Sequence, residues 1–237
     1  MSTLRDATDR LTRRRKDSRR RRVLRLVIAI GVVVVVGALA WLVFFSSVLA
    51  IRTVEVRGTA LLTPEAVSTV AEVPLGRPMA RLDEREIAER VTTLPPVDRV
   101  NVRRAWPSTV VITVTERTPV FALGQGERAT LVDATGAVFV GPRPDGLLEG
   151  LGPLDDPRTL TAAATVVAGL PIELREQAEL VRFTSRDAIT IHLQGEREIF
   201  FGSAEQIDLK TRVALALVRS TAAKHIDVSA PARPSTR

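Results

Sequence analysis

The 237-residue chain is 45% hydrophobic and 26% charged with 14 Gly and 14 Pro, which excludes pervasive disorder and fits one or two small domains. It has no Cys, no Tyr, 2 His and 4% aromatic residues, which removes disulfides, cysteine nucleophiles and thiolate metal sites and leaves little imidazole chemistry. The net charge of +7 suggests a nucleic-acid binder only until it is divided: residues 1–25 hold 11 Lys/Arg against 3 Asp/Glu, and the rest of the chain holds 23 against 24, so the basicity belongs to a tail.

From Leu26 to Phe45 run 20 residues without a charged side chain, and the uncharged stretch continues to Ile51. At about 1.5 Å per residue such a helix covers about 30 Å, the hydrocarbon thickness of a bilayer, so residues 26–46 are read as a transmembrane helix. The five valines Val32 to Val36 suit a helix poorly in water, but lipid offers the backbone no partner outside the helix and overrides that propensity. Trp41, Phe44 and Phe45 fit an interfacial belt. Arg13, Arg14, Arg15, Lys16, Arg19, Arg20, Arg21, Arg22 and Arg25 precede the span, and only Arg52 and Arg57 follow it closely. By the positive-inside rule residues 1–25 form a basic cytoplasmic tail and residues 47–237 lie outside, with contact to anionic membrane lipids part of the same physics. A cleaved signal peptide ending near Val48-Leu49-Ala50 is the alternative; its apolar region is usually about 7–15 residues, which favours an uncleaved anchor. Disulfides are permitted outside, so an external part without Cys holds by packing alone.

Residues 51–119 read as β-α-α-β-β. Ile51 to Arg57 alternates Val54 and Val56 against polar neighbours and stops at Gly58. Thr63-Pro64 starts a helix with Thr as N-cap and Val67, Val70 and Ala71 on one face. Asp83 with Glu86 has the spacing of a capping box and Leu82 with Ile87 that of a hydrophobic staple, opening a second helix with Ile87, Val91 and Leu94 as its stripe and a Glu86–Arg90 pair on its surface. Two strands follow, Val97 to Trp106 and Thr109 to Glu116, with Val110, Ile112 and Val114 inward and Trp106 expected to pack over the helices.

The runs IRTVEVRG, PLGRPMARLD and LPPVDRVNVRRAWPSTVVITVTERTPVFAL, including Arg104-Ala105-Trp106-Pro107 and Glu116-Arg117-Thr118-Pro119, resemble the POTRA domain of the FtsQ/DivIB cell division protein family. The hairpin LVDATGAVF from Leu131 and the closing DLKTRVALALV and HIDVSAP resemble the β domain that follows it there.

Residues 120–230 read as that second, mixed and mostly antiparallel β domain. Strands are expected at 121–123, 130–132 and 137–140, a Pro- and Gly-rich loop at 141–158 with a solvated Asp155-Asp156, a helix at 159–170 and an extended piece at 180–184. A hairpin follows at 188–193 and 198–201. Ser203 with Gln206 is read as a capping box opening a helix to about Ala223, with Ile207, Leu209, Val213 and Leu217 on its apolar side. Ile226, Asp227, Val228, Ser229 and Ala230 form a short terminal edge strand, and Pro231 to Arg237 a flexible tail. The fold class is therefore α+β: a transmembrane helix, a POTRA domain, and a β domain with a C-terminal helix and edge strand.

Catalytic chemistry finds no foothold. His192 falls on the polar side of its strand, His225 lies more than thirty residues away, and no nucleophile elbow or phosphate loop is present. The reading is no enzyme, no cofactor, no metal, no nucleic acid and no small-molecule substrate. What the resemblance implies is a single-pass scaffold of the plasma membrane at the division septum that binds FtsB- and FtsL-like bitopic partners and links early and late division proteins, with residues 226–230 as an edge for strand addition. The alternatives are a POTRA-containing polypeptide-transport protein, which would continue into a barrel, and a membrane-anchored cell-wall protein.

Overall fold

The computed structural model describes residues 3–124, 126 and 128–237, with side chains described from residue 24 onward. Helix α1 runs unbroken from Thr3 to Phe45, so the basic tail extends the helix. Within it Leu24–Phe45 is long and apolar enough to cross a membrane, and its large apolar side chains are exposed, as a helix meant for lipid requires. Of the topology residues, Arg13 to Arg22 have side chains outside the described residues, and Arg25 is exposed.

Two compact units make up the chain. One comprises Met1–Glu55, Glu72–Ile87 and Val102–Ile112, the other Val56–Ala71, Ala88–Asn101 and Thr113–Arg237, so the β-α-α-β-β stretch contributes to both. Its elements are β1 (Thr53–Arg57), α2 (Pro64–Ala71), α3 (Glu84–Thr92), β2 (Val97–Ala105) and β3 (Thr109–Glu116), with sheet order β1-β3-β2.

In the first unit, residues 50–53 are held from two sides. The N–H of Ile51 donates to the Arg77 carbonyl (2.9 Å) and that of Gly76 to the Ile51 carbonyl (2.8 Å), while Arg52 and Thr53 both donate to the Ser108 carbonyl (2.8 and 3.2 Å). Asp83 caps α3 by accepting from the N–H groups of Arg85 and Glu86 (3.0 and 3.1 Å). Trp106 contradicts the sequence reading, since its side chain is exposed (52%). The ring sits in the turn beyond β2, and the inward place at that strand end belongs to Arg104, whose guanidinium donates to the Leu82 carbonyl (2.7 Å) and pairs with Glu84 (3.4 Å).

In the second unit, Thr63 caps α2 through its hydroxyl (3.2 Å from the Ala66 N–H), and Val67 and Ala71 are fully buried. The Arg90 guanidinium, read from spacing as a surface partner of Glu86, donates twice to the Ala71 carbonyl at the end of α2 (3.1 and 2.8 Å). Gly58 has φ +82°, and a Cβ there would stand 2.2 Å from the Val114 carbonyl oxygen, so that position admits only glycine.

The same unit holds a nine-stranded sheet ordered β12-β11-β10-β9-β8-β7-β4-β5-β6. Its strands are β4 (Pro119–Leu123), β5 (Arg128–Asp133), β6 (Val138–Pro142), β7 (Leu148–Leu151), β8 (Ala178–Ser185), β9 (Ala188–Leu193), β10 (Arg197–Gly202), β11 (His225–Asp227) and β12 (Ser235–Thr236). The pairs β4–β7, β7–β8 and β10–β11 are parallel. The latter two need crossovers, which α4 (Pro157–Ala168) with the short α5 (Ile172–Arg175), and α6 (Ile207–Ser220), supply. Phe121, Leu160, Phe183, Ile191, Phe201, Ala214, Ile226 and Val228 share one core with these helices, and the Phe121 and Phe183 rings lie 5.7 Å apart at 56°.

Three expectations fail here. The stretch 141–158 contains β7, a central strand, and α5 was not foreseen. Asp156 is no solvated loop carboxylate, for it caps α4 by accepting from the Arg158 N–H (3.0 Å) and the Thr159 hydroxyl (2.6 Å). No capping box opens α6: Gln206 is left-handed (φ 54°), and Ser203 instead receives the Lys210 ammonium, which donates to the carbonyls of Phe201 (2.9 Å) and Ser203 (2.8 Å). Lys210, Thr211, Ala214 and Val218 are therefore the buried stripe of α6, Leu209 is exposed, and the helix ends at Ser220.

Ile112 is fully buried in β3. Ile112→Asp strands a carboxylate without a partner and is expected to cost roughly 3–5 kcal/mol, read as a fall in the urea midpoint of the purified chain; an unchanged midpoint counts against this inward face.

Candidate functional site

The C-terminal edge of the large sheet is built from three short strands. Helix α6 returns the chain parallel to β10, with Ile199 opposite Ile226 and Phe200 opposite Asp227. Ile226 and Val228 are fully buried, and the Val228 N–H donates to the Phe200 carbonyl (2.9 Å). Of the three apolar residues of the expected strand, Ile226, Val228 and Ala230, the last is exposed, as is Ser229, whose N–H bonds the Asp227 carboxylate (2.9 Å).

The outward side of β11 is covered. Residues 231–237 were expected to end regular structure, yet Ile226 pairs antiparallel with Thr236 and Asp227 with Ser235, and His225 and Arg237 exchange backbone bonds (3.0 and 2.9 Å). A strand that follows Pro234 is compatible with its missing N–H, since a strand's first residue needs no ladder bond. Of the strand expected at 226–230, only Ile226 and Asp227 pair, with His225, in β11, the second strand from the edge, while residues 228–230 lie beyond it; β12, two exposed residues long, is the edge itself.

Sequence distance also hid a polar cluster on these strands. Glu198 lies opposite both His192 and His225 in register. Its carboxylate meets His225 Nδ1 at 2.7 Å and His192 Nδ1 at 3.5 Å. Burial holds His192 below its ordinary pKa, Arg182 acts the same way, and Glu198 opposes them. Arg197 beside it closes the end of α6, donating to the carbonyls of Ala223 (3.1 Å), Val218 (3.3 Å) and Thr221 (3.1 Å).

The Glu116-Arg117-Thr118-Pro119 motif joins β3 to β4. The Glu116 carboxylate accepts from the N–H groups of Leu61 and Leu62 (2.8 and 2.9 Å). The Arg117 guanidinium donates to the buried Asp133 carboxylate (2.7 Å) and to the Pro95 carbonyl (3.1 Å). Among the described residues no group of three or more His, Asp or Glu gathers to hold a metal ion. An open cleft of about 510 Å³ beside the start of α4 mixes Arg158 and Arg186 with Asp187 and Glu205, a lining without a single sign of charge.

Burial by itself raises the Asp133 carboxyl, but hydrogen bonds from Thr135, Arg117 and the Ala137 N–H outweigh it and hold the group below the ordinary carboxylate range. Its stability contribution is then complete above the ordinary carboxylate pKa and is lost as pH falls through the lowered native value. Asp133→Asn is expected to cost about 1–3 kcal/mol at neutral pH and to flatten the acid limb of a stability profile from denaturant midpoints; an acid limb as steep as that of the unsubstituted chain contradicts this account.

The family model described as POTRA domain, FtsQ-type, matches residues 49–117. A protein named Cell division protein FtsQ from Streptomyces venezuelae is 38% identical over 224 residues, 89% of this chain and 83% of that protein. The protein of the same name from Streptomyces coelicolor is 32% identical, covering 89% of this chain and 86% of its own. That from Mycolicibacterium smegmatis is 33% identical over 84% of this chain and 61% of its own length. The β-α-α-β-β order behind one apolar helix, the strands that follow and these likenesses along most of the chain agree: the chain belongs to the FtsQ family of cell division proteins.

Proposed function

We propose that the chain is a bitopic scaffold of the division apparatus that works by binding and not by catalysis. In this reading residues 1–25 are cytoplasmic, residues 26–46 cross the plasma membrane, residues 51–119 and 120–230 form two external domains, and the protein acts at the septum. The orientation rests on the charge asymmetry around the span, nine Arg/Lys between Arg13 and Arg25 against Arg52 and Arg57 after it. Its partners are small bitopic proteins resembling FtsB and FtsL, which it links to earlier division components.

The observation that carries the binding mode is the thinness of the C-terminal edge: among the described residues β11 pairs outwardly with the two-residue strand β12 and the Arg237 backbone. A partner strand offering more ladder bonds displaces residues 231–237 and pairs with residues 225–230, giving affinity through main-chain bonds. Alternation along β11 directs the N–H groups of His225 and Asp227 to that side, as the His225–Arg237 exchange indicates.

Ending the chain after Ala230 is expected to preserve or strengthen capture of FtsB- and FtsL-like partners, whereas ending it after Lys224 abolishes capture. Asp227→Pro, which removes a donor and fixes φ, weakens capture more than Asp227→Ala. Full affinity in the chain that ends after Lys224 moves the site to the opposite edge, where β6 exposes Val138 (40%) and Val140 (53%). A reporter active only outside the cytoplasm is expected to work after Arg237 and fail before Met1, and the reverse pattern ends the topology. Depletion is expected to give filaments; normal septation removes the division role for this chain.

A further inference from the structure

Trp106 and Leu75 are large apolar side chains, 52% and 62% exposed, in loops of a unit that has a buried core to receive them. Both loops are tied to the same four residues. The loop carrying Leu75 is bonded to Ile51 through Gly76 and Arg77, and Ala50 bridges to Pro78. The turn carrying Trp106 is bonded to Arg52 and Thr53 through the Ser108 carbonyl. Those four residues begin five positions after Phe45, the last residue of α1, and most of that distance is a compact turn, Ser47–Leu49, with Val48 62% exposed. The Arg81 guanidinium stands 4.3 Å from the centre of the Phe45 ring itself, so this end of the unit abuts the helix end.

The charge of these segments has one sign. Residues 45–53, 74–81 and 103–108 include no acidic residue, and Arg52, Arg77, Arg81 and Arg103 are exposed. An indole, two aliphatic side chains and exposed guanidiniums, all fastened within a few residues of a membrane span, form the combination that settles at a headgroup boundary: the ring takes the amphipathic layer and the cations take lipid phosphates.

We propose that this face of the first unit, with Val48, Leu75 and Trp106 at its apolar points and Arg52, Arg77 and Arg81 around them, docks on the phospholipid surface of the outer leaflet. The inference rests on the reading of α1 as a membrane span. Trp106 is then exposed because its partner is lipid. Docking also fixes the tilt of the unit against the membrane without any protein partner.

The chain has two tryptophans, Trp41 within the span and Trp106, and each can be left as the sole fluorophore. The full chain is placed in nanodiscs of phosphatidylcholine and phosphatidylglycerol, once as Trp41→Phe and once as Trp106→Phe. With Trp106 alone, brominated acyl chains are expected to quench emission, and iodide to quench it several-fold less than free tryptophan. Arg52→Gln/Arg77→Gln/Arg81→Gln is expected to raise iodide access severalfold. Water-like emission from Trp106, open to iodide and untouched by bromolipid, while Trp41 is quenched by bromolipid, overturns the docking face and leaves the span intact. Failure of bromolipid to quench Trp41 overturns the span reading on which the docking face depends. Lipid quenching of Trp106 that the triple arginine substitution and the omission of phosphatidylglycerol both leave unchanged overturns the role given to the arginines.

Discussion

At the end of β3 two neighbouring side chains reach in different directions and hold the chain on either side of the joint. Glu116 takes the N–H groups of Leu61 and Leu62, and Arg117 takes Asp133 and the Pro95 carbonyl. Only Arg117 and Thr118 separate β3 from β4, and fixing a residue costs about 1–2 kcal/mol of backbone entropy. A hydrogen bond to a charged group contributes about 1.5–3 kcal/mol, so four such bonds outweigh the ordering of two residues. Leu61, pinned by Glu116, also packs against the cluster of Ala129, Leu131 and Phe139. The joint delivers the chain into β4, which pairs with β5 on one side and β7 on the other.

What could be read from residues alone was what depends on period and on local capping. The alternation of Val110, Ile112 and Val114, the Thr63 and Asp83 caps and the hairpin of β9 with β10 all have their cause within a few residues, and each is where the pattern puts it. Strand β7 was illegible for the opposite reason. Glycine in a strand reads as a loop signal, but a Cβ at Gly150 would stand 2.6 Å from the Phe121 ring and one at Gly152 2.3 Å from that of Phe183. These glycines answer to aromatic rings about thirty residues away. Lys210 likewise has a distant cause: only the fold places three oxygens of residues 201 and 203 around its buried ammonium.

The candidate interface shows the same division between near and distant causes. An apolar alternation at Ile226 and Val228 is local, and both residues are buried. The pairing of His225 with Arg237 is a return of the chain past two prolines, and the meeting of His192, Glu198 and His225 is a product of strand register. Neither leaves a spacing that a motif could capture. The consequence is chemical as well as geometric. A carboxylate between two imidazoles gives the last strands a polar cluster on the side opposite the apolar core, so the edge is held by side chains on one face and by packing on the other.

The connection from the apolar helix to the first strand is short and ordered. Five residues, 46–50, could span about 17 Å if extended, but a turn rises only about 2 Å per residue, and this one is closed by the Ala50 N–H on the Ser47 carbonyl (3.3 Å) and the Val48 N–H on the Ser46 hydroxyl (3.1 Å). Immediately after it, residues 51–53 are bonded on both flanks. A polypeptide so constrained has no slack with which to lift its neighbouring loops away from the helix end. The exposure of Leu75 and Trp106 is thus a matter of where the backbone holds them, in loops fastened to the residues that lead into β1.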